Sequence, residues 1–211
     1  MSSIHQTIED RIAKLKKGNL VFSSDFRGLG SESAIKMSLS RLLKEGKVSR
    51  LGHGIYYIPK TDPLFGVLKP SMEKVAEAIA ERNHVRIRPT GSYALNRLGL
   101  STQVPMKLVY LTDGPRRTIR LGKGSVNFKP TTPKKLSLKG PLSSLIISAL
   151  EEIGTQNLTE DMEIRLKDLL QKEDPKLLKH DLKLAPAKVY DYLLNLLKQT
   201  QSHDQMVTAK S

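Results

Sequence analysis

The sequence predicts an α+β fold: an N-terminal winged helix-turn-helix, then a mixed α/β second domain with a helical C-terminal end. Three observations predict it. Apolar stripes at helical spacing alternate with short strand-like runs, so neither period dominates the chain. A helix, a short strand, a short helix, a second full helix and a β-hairpin fill about the first 60 residues, which is the element order of a winged helix-turn-helix. Asp62-Pro63, Gly66 and Lys69-Pro70 then mark a linker before a second set of elements. The expected organisation is a DNA-binding domain over 1–62, a second α+β domain over 70–199 and a disordered tail over 200–211.

Each element has its own signal. Ile4, Ile8, Ile12 and Leu15 recur at helical spacing, and Gly18-Asn19 stops that helix. Leu20-Val21-Phe22 reads as a short strand. Ser23-Ser24-Asp25-Phe26 reads as a short helix ended by Gly28 and Gly30. Ser31 is placed to cap a helix running to Glu45, with Gly46 as its stop. Ile35, Leu39, Leu42 and Leu43 form its apolar stripe. Ser33, Lys36, Ser40 and Lys44 form the opposite face, with hydroxyls, two cations and no carboxylate. Lys47 to Leu51 and Ile55 to Ile58 read as two strands around a Gly52-His53-Gly54 turn.

In the second half, Met72, Val75, Ala76 and Ile79 stripe a helix to about Asn83. Val85-Arg86-Ile87-Arg88 alternates as a strand. Thr90-Gly91 leads into a short helix stopped by Gly99. Lys107 to Thr112, Thr118 to Leu121 and Ser125 to Phe128 read as strands, and Leu142 to Ile153, Asp161 to Leu170 and Pro186 to Lys198 as helices.

The formal net charge of +14 points to a polyanionic partner. Residues 1–69 carry twelve Lys and Arg against six Asp and Glu, and residues 70–140 carry fourteen against four. Residues 141–211 carry nine against eleven, so the last third is a poor polyanion contact. In the second motif helix, Ser31, Ser33, Lys36, Ser40, Arg41 and Lys44 are the candidates to meet a DNA groove and its phosphates. Arg50 and His53 sit where a wing reaches the backbone or the minor groove. Arg86, Arg88, Arg116, Arg117, Arg120 and Lys123 form a possible second basic patch, for DNA phosphates or for an acidic or RNA-bound partner. A solvated basic hairpin would have the same composition.

No catalytic residue, metal site or cofactor is expected. There is no Cys, and no two of His5, His53, His84, His180 and His203 lie at metal-ligand spacing. Thr90-Gly91-Ser92-Tyr93 resembles the Gly-Ser turn of a nucleotidyltransferase, but that chemistry needs paired carboxylates shortly afterwards. The next carboxylate after Glu81 is Asp113, read here as a turn residue. The start of the chain carries no signal-peptide pattern. No stretch approaches the roughly 18 apolar residues of a membrane span, so a cytoplasmic protein without membrane contact is expected.

Ser38 to Val48 and Gly54-Ile55-Tyr56-Tyr57-Ile58-Pro59 resemble the AbiEi-type antitoxins of bacterial abortive-infection, type IV toxin–antitoxin systems. So do Gly91-Ser92-Tyr93-Ala94-Leu95-Asn96-Arg97-Leu98-Gly99 through Pro105, and Tyr110-Leu111-Thr112-Asp113-Gly114. The similarity covers roughly residues 5–140, and the second block is the more distinctive. The resemblance implies an autorepressor that binds inverted repeats in its own promoter. It also implies an antitoxin that antagonises a cognate nucleotidyltransferase toxin, without necessarily forming a stable complex. It places the recognition helix on Ser31 to Glu45 and the wing on Lys47 to Ile58. A plain winged-helix regulator with an effector- or partner-binding second domain is the alternative.

Overall fold

A computed structural model describes residues 3–208, with side chains through residue 199. Among the described residues the fold is mixed α/β, with a three-stranded sheet, a two-stranded sheet and a four-stranded sheet. The chain forms two compact units, one from 1–82 together with 118–126 and the other from 83–117 together with 127–211.

The first unit opens with α1 (Ile4–Ala13), capped by the Ser3 hydroxyl on the Gln6 N–H. Strand β1 (Leu20–Phe22) leads into a 3-10 turn over Ser23–Phe26, and α2 (Glu32–Lys44) follows. Strands β2 (Ser49–Gly52) and β3 (Ile55–Tyr57) make a hairpin, and β1 pairs antiparallel with β3, giving the order β1-β3-β2. Ile8 and Ile12 of α1 bury against Ile35, Leu39 and Leu42 of α2, with Val21, Phe26, Val48 and Tyr56 closing the core. Of the stripes predicted from periodicity, Ile8, Ile12, Ile35, Leu39 and Leu42 are buried and Ile4 and Leu43 pack partly buried against them, whereas Leu15 lies beyond α1 and is exposed.

Helix α2 ends where its sequence says it should. Gly46 has φ +72°, a left-handed conformation that costs a glycine little. The Gly46 N–H donates to the Leu43 carbonyl at 3.2 Å and the Lys47 N–H to the Leu42 carbonyl at 2.9 Å. This pair of bonds satisfies carbonyls that the helix end would otherwise leave open, and it turns the chain directly into the hairpin.

Two expectations for this region need correction. The 62–70 segment is not a bare linker: β4 (Lys60–Asp62) and β5 (Gly66–Leu68) pair antiparallel, and Asp62 Oδ1 accepts from the Leu64 and Phe65 N–H groups. The self-bonding aspartate supplies a turn that Pro63 and Gly66 only hint at. Helix α3 (Met72–Arg82) falls in the first unit, whereas the sequence linker assigned it to the second domain. Its Arg82 pairs with Asp25 and lies 5.0 Å from the Phe22 ring centroid, and Lys74 Nζ donates to the Gly18 carbonyl.

The second unit holds β6 (Ile87–Pro89), α4 (Ser92–Arg97) and β7 (Lys107–Thr112). The hairpin of β8 (Arg117–Leu121) and β9 (Gly124–Pro130), whose residues 118–126 group with the first unit, belongs to a sheet of order β6-β7-β9-β8. Five helices follow: α5 (Pro133–Leu136), α6 (Ser143–Ile153), α7 (Glu160–Gln171), α8 (Pro175–Leu182) and α9 (Ala187–Thr208). Ile146, Ile147 and Leu150 of α6 pack with Leu166, Leu169 and Leu193 in its main core. The backbone of α9 stays helical to Thr208, so residues 200–208 are not the disordered segment expected from their polarity. No Gly or Pro interrupts that stretch. The last three residues of the expected tail lie outside the described residues.

Two buried carboxylates hold the loop entering α6. Asp181 accepts from the Lys139 N–H at 2.7 Å, the Gly140 N–H at 2.9 Å and the Ser143 hydroxyl at 2.6 Å. Glu173 Oε2 accepts from the Leu142 and Ser143 N–H groups at 2.8 and 2.7 Å. These are donors that the first turn of α6 cannot satisfy by itself, and a carboxylate there also suits the positive end of the helix dipole.

Candidate nucleic-acid interface

Helix α2 leaves one long exposed face. Ser31, Glu32, Ser33, Lys36, Met37, Ser40, Arg41 and Lys44 all stand in solvent. The expected groove residues therefore share a face, but they are not equally available. The Ser31 hydroxyl accepts from the Ala34 N–H at 3.3 Å and lies 3.0 Å from the Ser33 hydroxyl. Ser31 is thus spent on capping α2.

The expectation of a carboxylate-free outer face is corrected at Glu32. Its Oε2 lies 3.5 Å from Lys36 Nζ, one helical turn away, with both side chains largely exposed. Exposed pairs of this kind contribute roughly 0–1 kcal/mol, so Lys36 can exchange Glu32 for a phosphate at little cost. Lys47, by contrast, is tied to both Glu9 and Glu45. The bond to Glu9 comes first among the causes that raise its pKa, and the same arrangement lowers that of Glu45.

The hairpin beside α2 is bulged. Arg50 faces Tyr56 while Gly52 already faces Ile55, which leaves Leu51 as the extra residue and increases the local twist. Arg50 is exposed, and its Nε donates to the Gly52 carbonyl at 3.2 Å. His53 stands exposed at the tip. The Ser23 N–H donates to the Gly54 carbonyl at 3.0 Å and anchors the turn. A cleft of about 170 Å³ results, lined by Arg27, Glu32, Lys36 and His53 among others. It brings the hairpin-tip histidine and the helix lysine to one place.

Sequence reasoning missed two residues and one long-range contact. Arg27 lines this cleft and is exposed, a position that the short helix before Gly28 could have suggested. Met37 is 58% exposed in the middle of the outer face, where an apolar side chain has no core to join. Residues 118–126 belong to the first unit, with the Arg120 carbonyl so close to Gly52 that a Cβ there would lie 2.6 Å away. Arg120 and Lys123, both exposed, thereby join the unit that carries α2 and its hairpin. No local sequence signal announces that contact.

The proposed second basic patch does not hold together as one surface. Arg88 is only 9% exposed, so it cannot stand on a solvent-facing patch beside Arg86. Alternation placed both on one strand face, but β6 begins only at Ile87. Arg86 is exposed and bound to Asp113 through its backbone N–H and its Nε, each at 2.8 Å. These bonds pull the Asp113 carboxyl below the usual carboxylate range, so Asp113 is an arginine partner and more than a turn residue. Arg116 and Arg117 remain exposed.

The Gly-Ser-Tyr block starts α4, and Tyr93 packs on Tyr110 at 6.0 Å between ring centroids. One carboxylate, that of Glu152, comes close to Gly91. Among the described residues no group of three His, Cys, Asp or Glu could hold a metal ion, and no helix is long and apolar enough to cross a membrane.

Residues 7–178 match a family described as a family of unknown function (DUF6088). No curated protein matches the chain.

Proposed function

The chain belongs to the DUF6088 family; from its own residues we propose that it binds double-stranded DNA, and on the resemblance described above that it represses its own operon. In this reading the first unit is a winged helix-turn-helix. Helix α2 enters the major groove and the β2–β3 hairpin is the wing. The observation that carries the reading is the exposed cationic face of α2, held next to a hairpin whose tip shares a cleft with it. The sheet order β1-β3-β2 behind that helix is the order this architecture needs.

The roles divide by chemistry. Lys36, Arg41 and Lys44 are donors suited to phosphate oxygens or to guanine acceptors. Glu32 is suited to accept from a cytosine amine, and Met37 to lie against a thymine methyl. Ser33 and Ser40 are short enough for the helix to approach the base edges. Arg50, His53 and Arg27 flank the groove. Arg120 and Lys123 extend the same unit's positive surface.

The antitoxin role is proposed on the resemblance described above. The second unit would antagonise a nucleotidyltransferase toxin encoded nearby, without necessarily forming a stable complex. The plain regulator with an effector-binding second unit is distinguished by co-expression: rescue of growth from the neighbouring gene's product supports the antitoxin, and absence of rescue supports the regulator.

The decisive experiment is a mobility shift of the full-length protein on its own upstream DNA, with excess nonspecific competitor and a salt titration. The expected result is a discrete competitor-resistant shift. Replacing Lys36 and Arg41 by Ala should weaken it and reduce the slope of log K against log salt by about 2 if both meet phosphates. Unchanged binding by the folded double variant overturns the assignment.

A further inference from the structure

Arg88 is the least explained charge in the molecule. Its Nη2 donates to the Leu138 carbonyl at 2.5 Å, while Nε and Nη1 are buried with no hydrogen-bond partner. A buried donor left unpaired costs about 1–3 kcal/mol, more for a charged group, so such a group calls for a reason. Burial weakens its hold on the proton, and the Asp181 and Glu151 carboxylates only partly offset that.

The side chain forms part of the wall of a pocket of about 260 Å³. Leu111, Leu138, Ile147 and Leu184 give that pocket apolar walls, and Lys134 and Lys135 stand exposed beside it. Lys135 is paired with Glu151 at 2.9 Å, so the net charge around the pocket is positive but small. Sites for drug-sized ligands run to roughly 300–1,000 Å³, so this one suits something smaller.

We propose that this pocket binds a small organic monocarboxylate, its headgroup turned to the Arg88 guanidinium, whose Nε and Nη1 a small shift of the side chain uncovers on binding, and its hydrocarbon part against the apolar walls. A dianion such as phosphate would meet Glu151 and would leave the leucine and isoleucine walls unused. A neutral molecule would leave the guanidinium uncompensated. The site stands whether or not the first unit contacts DNA.

The test is isothermal titration calorimetry of the full-length protein with three probes: 4-methylpentanoate, its neutral amide 4-methylpentanamide, and inorganic phosphate. The carboxylate should bind saturably at one site, and the amide about tenfold more weakly or not at all. Phosphate should bind more weakly than the carboxylate. Arg88→Gln should weaken carboxylate binding at least about tenfold, and Leu184→Trp, which fills the pocket and leaves Arg88 in place, should abolish it. No saturable carboxylate binding, equal binding of acid and amide, or phosphate preferred over the carboxylate would each overturn the proposal. The comparison of probes needs no variant, so a misfolded Arg88→Gln protein cannot rescue or sink it.

Discussion

At Ser31 a hydroxyl that the sequence offers equally to DNA and to the helix goes to the helix. Ser31→Ala should therefore lower stability by about 1 kcal/mol in urea unfolding while leaving the salt slope of DNA binding unchanged. A changed slope with unchanged stability would instead make Ser31 a phosphate contact. Asp181 is the other residue whose role can be separated cleanly. Burial pushes its pKa up, but bonds from Ser143, His180, Lys139 and Gly140 outweigh that and hold it below the ordinary value. A carboxyl with a depressed folded pKa stabilises the fold fully above its unfolded pKa of about 3.9, and loses that contribution as pH falls below it. Asp181→Asn should be less stable than the native protein at neutral pH, and the gap should narrow as pH drops from about 5 toward 3. A gap constant with pH would remove the carboxylate's charge from the account.

Helix α2 serves two purposes with two faces. Its buried side is core, so Leu39→Ala should cost about 2–5 kcal/mol in a denaturant titration and lower DNA affinity only through unfolding. The hairpin next to it depends on a contact made far along the chain. Gly52→Val would set a side chain against the Arg120 carbonyl, where even a Cβ lies at 2.6 Å. Overpacking there should cost about 1–3 kcal/mol and shift the unfolding midpoint, while Ser49→Val on the same strand should not. The α2–hairpin region was legible in the sequence because a capping serine, an apolar stripe and a terminal glycine all agreed. Helix α8 was missed although Asp174-Pro175 is a cap followed by a first-turn proline, and Asp174 does accept from the Lys176 and Leu177 N–H groups.

For the whole molecule, what could not be read from the sequence was burial and distant pairing. Val85 to Arg88 alternates, and nothing local distinguishes the exposed Arg86 from the buried Arg88. The charge tally counted both as surface. Asp113, twenty-seven residues from Arg86, looked like punctuation and is an ion-pair partner. The acidic last third was read only as a poor polyanion contact, whereas its Glu173 and Asp181 are buried anchors for the loop entering α6. Charge counts see the sum of such groups and not their placement.

The discontinuity of the first unit sets a timetable. Its N-terminal portion ends at residue 82, and its last portion is 118–126. On a ribosome the helix and hairpin proposed to hold DNA are made first, but the segment that backs Gly52 is complete only forty-four residues after residue 82. At roughly 5–20 residues per second the nascent chain waits about 2–9 s before that unit can be complete. A proteolytic cut between 82 and 118 would part the unit's two pieces, so a fragment ending at residue 82 is not an independent copy of the native unit.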